Sequence, residues 1–94
     1  MRKHLTIHGL VQGVFFRATM REQALRYGVT GWVRNTYEGD VEAVVEGEEE
    51  EVQKLVRWCH KGPPGAVVRK VEVSSEPYSG EYSSFSIEHL YRRW

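Results

Sequence analysis

The chain is poor in several things, and each shortage excludes a class of protein. It has one cysteine, Cys59, so no internal disulfide can form and a reducing, cytoplasmic setting is expected. It has one aspartate, Asp40, which rules out a two-aspartate phosphotransfer motif or an aspartic dyad within one chain. Neither charge is in excess: thirteen Lys and Arg balance thirteen Asp and Glu. That balance argues against nucleic-acid binding by bulk charge and against ionic attachment to acidic membranes. No apolar run approaches the ~20 residues of a membrane span. Met1-Arg2-Lys3-His4 leads straight into alternating residues and not into a signal-peptide core. Position 65 is Gly65, so Cys59 lacks the arginine of a C-x5-R phosphatase loop, and no G-x-x-x-x-G-K-[ST] is present. His4, His8, His60 and His89 show no dense metal-ligand spacing, so neither a metal nor another cofactor is expected. His4 and His8 read as solvent-facing residues of one strand.

What is present fits one domain over residues 1–94. Leu5 and Ile7 alternate with His4, Thr6 and His8, which predicts a strand over 4–11. Phe16, Met20, Ala24 and Tyr27 recur at helical spacing, and Gly28 stands where a left-handed helix stop belongs. A second strand is expected over 29–36, with Val29, Gly31, Val33 and Asn35 on one face and Trp32 and Arg34 on the other. Tyr37-Glu38-Gly39-Asp40 is a turn, and Val41, Ala43 and Val45 continue a hairpin that ends at Gly47. Val52, Leu55, Val56 and Cys59 form the apolar stripe of a helix over 48–60, whose first turn is charged by Glu48–Glu51 and which Gly62-Pro63-Pro64-Gly65 stops. Strands over 67–74 and 82–88 follow. The order βαββαβ, with a small extra strand, predicts an α+β, ferredoxin-like sandwich: two helices on one face of a mainly antiparallel sheet.

Two features could carry chemistry. The stretch Gly9 to Arg17 joins a strand end to a helix N-terminus. Glycines there can turn successive N–H groups inward, the helix end adds partial positive charge, and the Arg17 fork matches phosphate oxygens. The same stretch also reads as a tight β-α turn with Arg17 solvated, which composition alone favours. Asn35 is the second feature. It falls on the core-facing side of its strand, where an unpaired amide costs ~1–3 kcal/mol. It serves either to bond the turn backbone or to offer its amide to a water over a cavity. Cys59 completes an apolar stripe and reads as core. Trp32, Tyr37, Trp58 and Trp94 are scattered and read as packing residues more readily than as a base-stacking surface.

Gly9-Leu10-Val11-Gln12-Gly13-Val14-Phe15-Phe16-Arg17 resembles the first signature of the acylphosphatase family, G-x-V-Q-G-V-x-F-R. The segment from Gly31 to Gly47 resembles the second, G-[FYW]-[AVC]-[KRQ]-N-x3-G-x-V-x5-G. Gly62–Val68 and Phe85-Ser86-Ile87 also resemble the family, and the similarity runs over about residues 4–87. The resemblance implies a ferredoxin-like enzyme that hydrolyses the carboxyl–phosphate bond of acyl phosphates without a metal. It implies that Arg17 and the backbone N–H groups of Gln12, Gly13, Val14, Phe15, Phe16 and Arg17 bind the phosphoryl group, and that Asn35 orients the attacking water. Thr36 is a weaker transfer. Inorganic phosphate is then both product and competitive inhibitor, and a monomer is expected. Acylphosphatase-like domains also occur inside larger carbamoyl-handling proteins, but a free 94-residue chain argues for the standalone form. Glu88–Trp94 extends past the usual family end, where Arg92 and Arg93 would meet a partner chain or solvent.

Two other functions fit the same fold. One is a non-catalytic module binding an anion or small molecule. The other is RNA binding by an RRM-like sheet, against which stand the missing ribonucleoprotein signature and the acidic third strand with Asp40, Glu42 and Glu46.

Overall fold

The alternation of Leu5 and Ile7 puts both side chains fully inside the molecule, on β1 (Arg2–Leu10). The computed structural model describes residues 1–89. Arg92, Arg93 and Trp94 lie outside the described residues. β1 is followed by α1 (Phe16–Tyr27), β2 (Thr30–Asn35), β3 (Val41–Glu46), α2 (Glu49–Lys61), β4 (Val67–Glu76) and β5 (Phe85–Ile87). The sheet order is β4-β1-β3-β2-β5, antiparallel throughout except for the parallel β2–β5 pair. This is the ferredoxin-like sandwich with one added edge strand.

Helix α1 has the expected bounds. Gly28 adopts φ 71°, and its N–H reaches the carbonyls of Ala24 and Leu25, which closes the helix. Other ends shift by a residue or two. β1 starts at Arg2 and not at His4, because Arg2 and Lys3 pair with Glu46 and Val45 on one side and Glu76 and Ser75 on the other. That double ladder also carries β4 to Glu76. α2 starts at Glu49, with Glu48 extended as its N-cap. The last strand shrinks to Phe85–Ile87, with single hydrogen bonds from Gly31 N–H to Ser84 and from Glu88 N–H to Val33 carrying the pairing past each end.

The core lies between sheet and helices. Phe16, Met20 and Ala24 of α1 and Val52, Leu55 and Cys59 of α2 meet Leu5, Ile7, Val33, Ala43 and Val45 of the sheet, all fully buried. Burying a side chain such as Leu55 contributes about 1.5–3 kcal/mol. Phe16 also stacks at a tilt on Trp58, with ring centroids 5.2 Å apart. Burial pushes the Cys59 thiol well up, and its Sγ packs 3.8 Å from Met20 Sδ, so it is a core residue. No helix among the described residues is long and apolar enough to cross a membrane.

The face of the sheet without helices is crossed by ion pairs. Glu42 takes His4 Nε2 at 2.6 Å and Arg34 Nη2 at 2.7 Å. His8 bridges Asp40 at 3.1 Å and Glu72 at 2.7 Å. Arg34 lies 5.1 Å over the Trp32 ring, whose Nε1 donates to the Tyr82 hydroxyl at 3.2 Å. His4 and His8 are therefore each tied to a carboxylate, and the aromatic rings of the described residues form no stacking row on this face. No group of three His, Cys, Asp or Glu among the described residues is arranged to hold a metal ion.

Candidate active site

The register of β1 against β4 shifts between His8 and Gly9, a bulge that re-aims the strand just before it leaves the sheet. A side chain at Gly9 would put its Cβ 2.0 Å from the Val67 carbonyl oxygen, so only glycine allows the approach. The chain then turns through residues 11–15 into α1. Gly13 takes φ 76°, and Phe15, the N-cap of α1, is left-handed at φ 62°. A non-glycine residue in that region is strained, and such strain gathers at functional sites.

Phe15 caps α1 with its carbonyl, which accepts from Thr19 N–H at 3.0 Å and Thr19 Oγ1 at 2.8 Å. No side chain caps the helix and no acidic residue stands in its first turn. The N–H groups of residues 12–18 find no acceptor among the described residues. A helix start left this open presents donors and partial positive charge together.

Beside the loop is an open cavity of about 410 Å³, bordered by Val11, Gly13, Phe15, Phe16, Arg17, Ala18, Asn35, Ile87 and His89. Arg17 makes no hydrogen bond or ion pair with a described residue. Asn35 reaches the cavity from the end of β2, where the alternation of Val29, Gly31 and Val33 carries it inward. Its Oδ1 is buried and has no hydrogen-bond partner among the described residues. Of the two readings of Asn35, bonding the turn backbone fails for that oxygen.

The expected site residues divide. Gly13, Phe15, Phe16, Arg17 and Asn35 border the cavity. Gln12 and Val14 do not. The Gln12 side-chain amide donates to the carbonyls of Thr36 at 2.9 Å and Asp40 at 2.8 Å, and so fastens the loop to the β2–β3 turn. Thr36 closes that turn: its N–H donates to Asp40 O at 2.9 Å, and its hydroxyl accepts from Asp40 N–H at 3.1 Å. The loop carrying Arg17 and the strand end carrying Asn35 are thus bolted together one residue past Asn35. Sequence reasoning passed over Ile87 and His89, although Phe85, Ile87 and His89 alternate with the period that would have aligned them.

The chain is similar to known proteins over nearly its whole length. The model of the family described as Acylphosphatase matches residues 3–87. An acylphosphatase of Pelotomaculum thermopropionicum is 55% identical over 86 residues, which is 92% of this chain and 94% of that protein. The crystal structure of acylphosphatase from Bacillus subtilis superposes with a TM-score of 0.89 at 31% identity, covering 93% of this chain and 97% of that one. An acylphosphatase structure from Coxiella burnetii gives 0.86 at 41% identity, covering 93% and 90%. By the family match, the near-full-length identity and the shared fold, this chain belongs to the acylphosphatase family.

Proposed function

We propose that this member of the family hydrolyses acyl phosphates by direct in-line attack of water on phosphorus, with Asn35 holding the water. Arg17 and the main-chain N–H groups of residues 12–17, those of Gln12 and Val14 included, grip the phosphoryl group. The observation that carries this reading is that Asn35, whose buried Oδ1 has no hydrogen-bond partner among the described residues, borders the same cavity as Arg17. A buried acceptor left alone costs about 1–3 kcal/mol, and a water held for reaction removes that penalty.

The chemistry asks for positioning and charge more than for covalent participation. As the phosphoryl group passes from the acyl oxygen to water, charge redistributes over its three equatorial oxygens. Loop N–H groups and the Arg17 fork meet that charge with donors already aimed. The departing carboxylate is a stable anion and leaves without strong protonation. No hydroxyl, thiol or carboxylate borders the cavity among the described residues, which favours water as the nucleophile. Val11, Phe16 and Ile87 give the acyl part an apolar wall.

Inorganic phosphate, the product, fits the same cradle and inhibits competitively. In this reading the enzyme acts as a single-domain monomer. The single thiol supports the cytoplasm as its place of work.

Steady-state hydrolysis of a simple aromatic acyl phosphate tests the reading. Asn35→Ala should lower kcat on the order of 10²–10³, as loss of one positioned polar group does, with KM little changed. Arg17→Ala should raise KM and lower kcat together. A chelator should change nothing. Full activity in Asn35→Ala ends the water role, and chelator sensitivity ends the metal-free reading.

A further inference from the structure

β5 runs parallel to β2, with Phe85, Ser86 and Ile87 level with Gly31, Trp32 and Val33. The pairing persists one residue further, because the Glu88 N–H donates to the Val33 carbonyl at 2.8 Å. Side chains alternate along an extended chain. Phe85 is buried and Ile87 packs against the core, so the next residue on that face is His89. The same count along β2 runs Gly31, Val33, Asn35. Register and alternation therefore bring His89 level with Asn35 on neighbouring chain paths, which in a sheet lie ~4.8 Å apart. The cavity wall agrees independently, since it includes both residues. The His89 imidazole makes no hydrogen bond or ion pair with a described residue. It lies past both family signatures.

We propose that His89 is a further catalytic residue, which accepts the proton of the water held by Asn35. The inference rests on the water site proposed above. As the water oxygen bonds to phosphorus, the phosphorus–acyl oxygen bond breaks and its electron pair leaves on the carboxylate. One water proton passes to the unprotonated imidazole nitrogen, directly or through one further water, and the other stays on the phosphate formed. The imidazolium then releases its proton to solvent. Arg17 is the one other titratable side chain bordering the cavity among the described residues. Arg21 of α1 also reaches this edge, with its Nε donating to the Phe85 carbonyl at 3.1 Å. Glu88 is held on its own strand by Ser86 Oγ at 2.9 Å.

The test is the pH dependence of kcat for an aromatic acyl phosphate in the wild type, His89→Gln and His89→Gly. Wild-type kcat should fall toward acid. His89→Gln should lose on the order of 10² in kcat, with KM little changed, and that acid limb should vanish. Ionisation of the substrate itself would appear in both enzymes alike. His89→Gly, which leaves the Glu88–Val33 main-chain bond in place, should regain rate when imidazole is added. Wild-type kcat in His89→Gln, a reduced kcat with the acid limb kept, or no rescue of His89→Gly overturns the proposal. Asn35→Ala measured beside them separates the two readings. If it loses kcat and His89→Gln does not, the base falls and the water site stands; if Asn35→Ala is fully active, both fall.

Discussion

Glu46 and Asn35 both place side-chain oxygens inside the fold, and the fold treats them in opposite ways. Glu46 is fully buried and satisfied. Its Oε2 accepts from Ser79 N–H at 2.9 Å, Ser79 Oγ at 2.9 Å and Arg2 Nη1 at 3.1 Å, while Oε1 accepts from Gly80 N–H at 3.1 Å. Arg2 in turn reaches Glu76 at 2.8 Å and Glu81 at 3.1 Å. Burial resists ionisation of Glu46, but the bonds from Ser79, Arg2 and Gly80 outweigh it and hold the carboxyl below the usual range. Among the described residues the Oδ1 of Asn35 has none of this, and neither does the guanidinium of Arg17 or the run of amides before it. Where polar groups close on one another they build architecture, here by pinning residues 79–81 to the sheet. Where they are left without protein partners at the border of a cavity, they can bond a ligand.

The sharpest way to break that contrast is to remove Asn35. Beyond its loss of kcat, Asn35→Ala should keep or gain stability toward urea, because it deletes an unsatisfied acceptor. An Asn35→Ala protein that unfolds more readily and still turns over normally would make Asn35 structural and cancel the comparison. Glu46→Gln is the mirror experiment. It weakens the hold on buried donors and should cost about 1–3 kcal/mol in urea unfolding, while kcat of the folded enzyme holds.

The pH dependence of stability should be smaller and graded. Folded Glu46 and Glu42 both titrate below the usual 4.5, each against the resistance of burial, Glu42 through His4 and Arg34. Their contribution is present in full above that value and is lost as pH falls through the lowered ones. Glu46→Gln should flatten this acid loss. His8 runs the other way. Its hydrogen bond to Glu72 raises it above the usual 6.5 against partial burial, with help from Asp40. Its contribution is present below that value and fades as pH rises through the raised one. This is the smallest effect, because Glu72 and His8 are open to solvent screening. The urea midpoint followed across pH checks both signs.

Local pattern carried much of this into the sequence. The inward alternation of Val29, Gly31, Val33 and Asn35 is visible in seven residues, and the α1 stripe with Gly28 fixes that helix to its ends. Arg17 and Asn35 were legible through motif resemblance, since spacing alone left both with plain alternatives. The rest depended on distant partners. The Gln12 amide spans to carbonyls 24 and 28 residues away, and nothing near Gln12 announces them. The Arg2–Glu46–Ser79 knot needs three separate segments to meet. β5 is three residues long, too short for periodicity to separate it from loop, so the register whose continuation past Ile87 leads to His89 and Asn35 appears only when the strand is paired.

A crystal structure with inorganic phosphate bound tests the central claim most directly. The expected result is a phosphate whose oxygens lie within hydrogen-bond distance of the 12–17 amides and the Arg17 guanidinium, with a water between phosphorus and Asn35 Oδ1. Phosphate seated elsewhere, with Arg17 turned from the cavity and Asn35 bonded to protein, contradicts it.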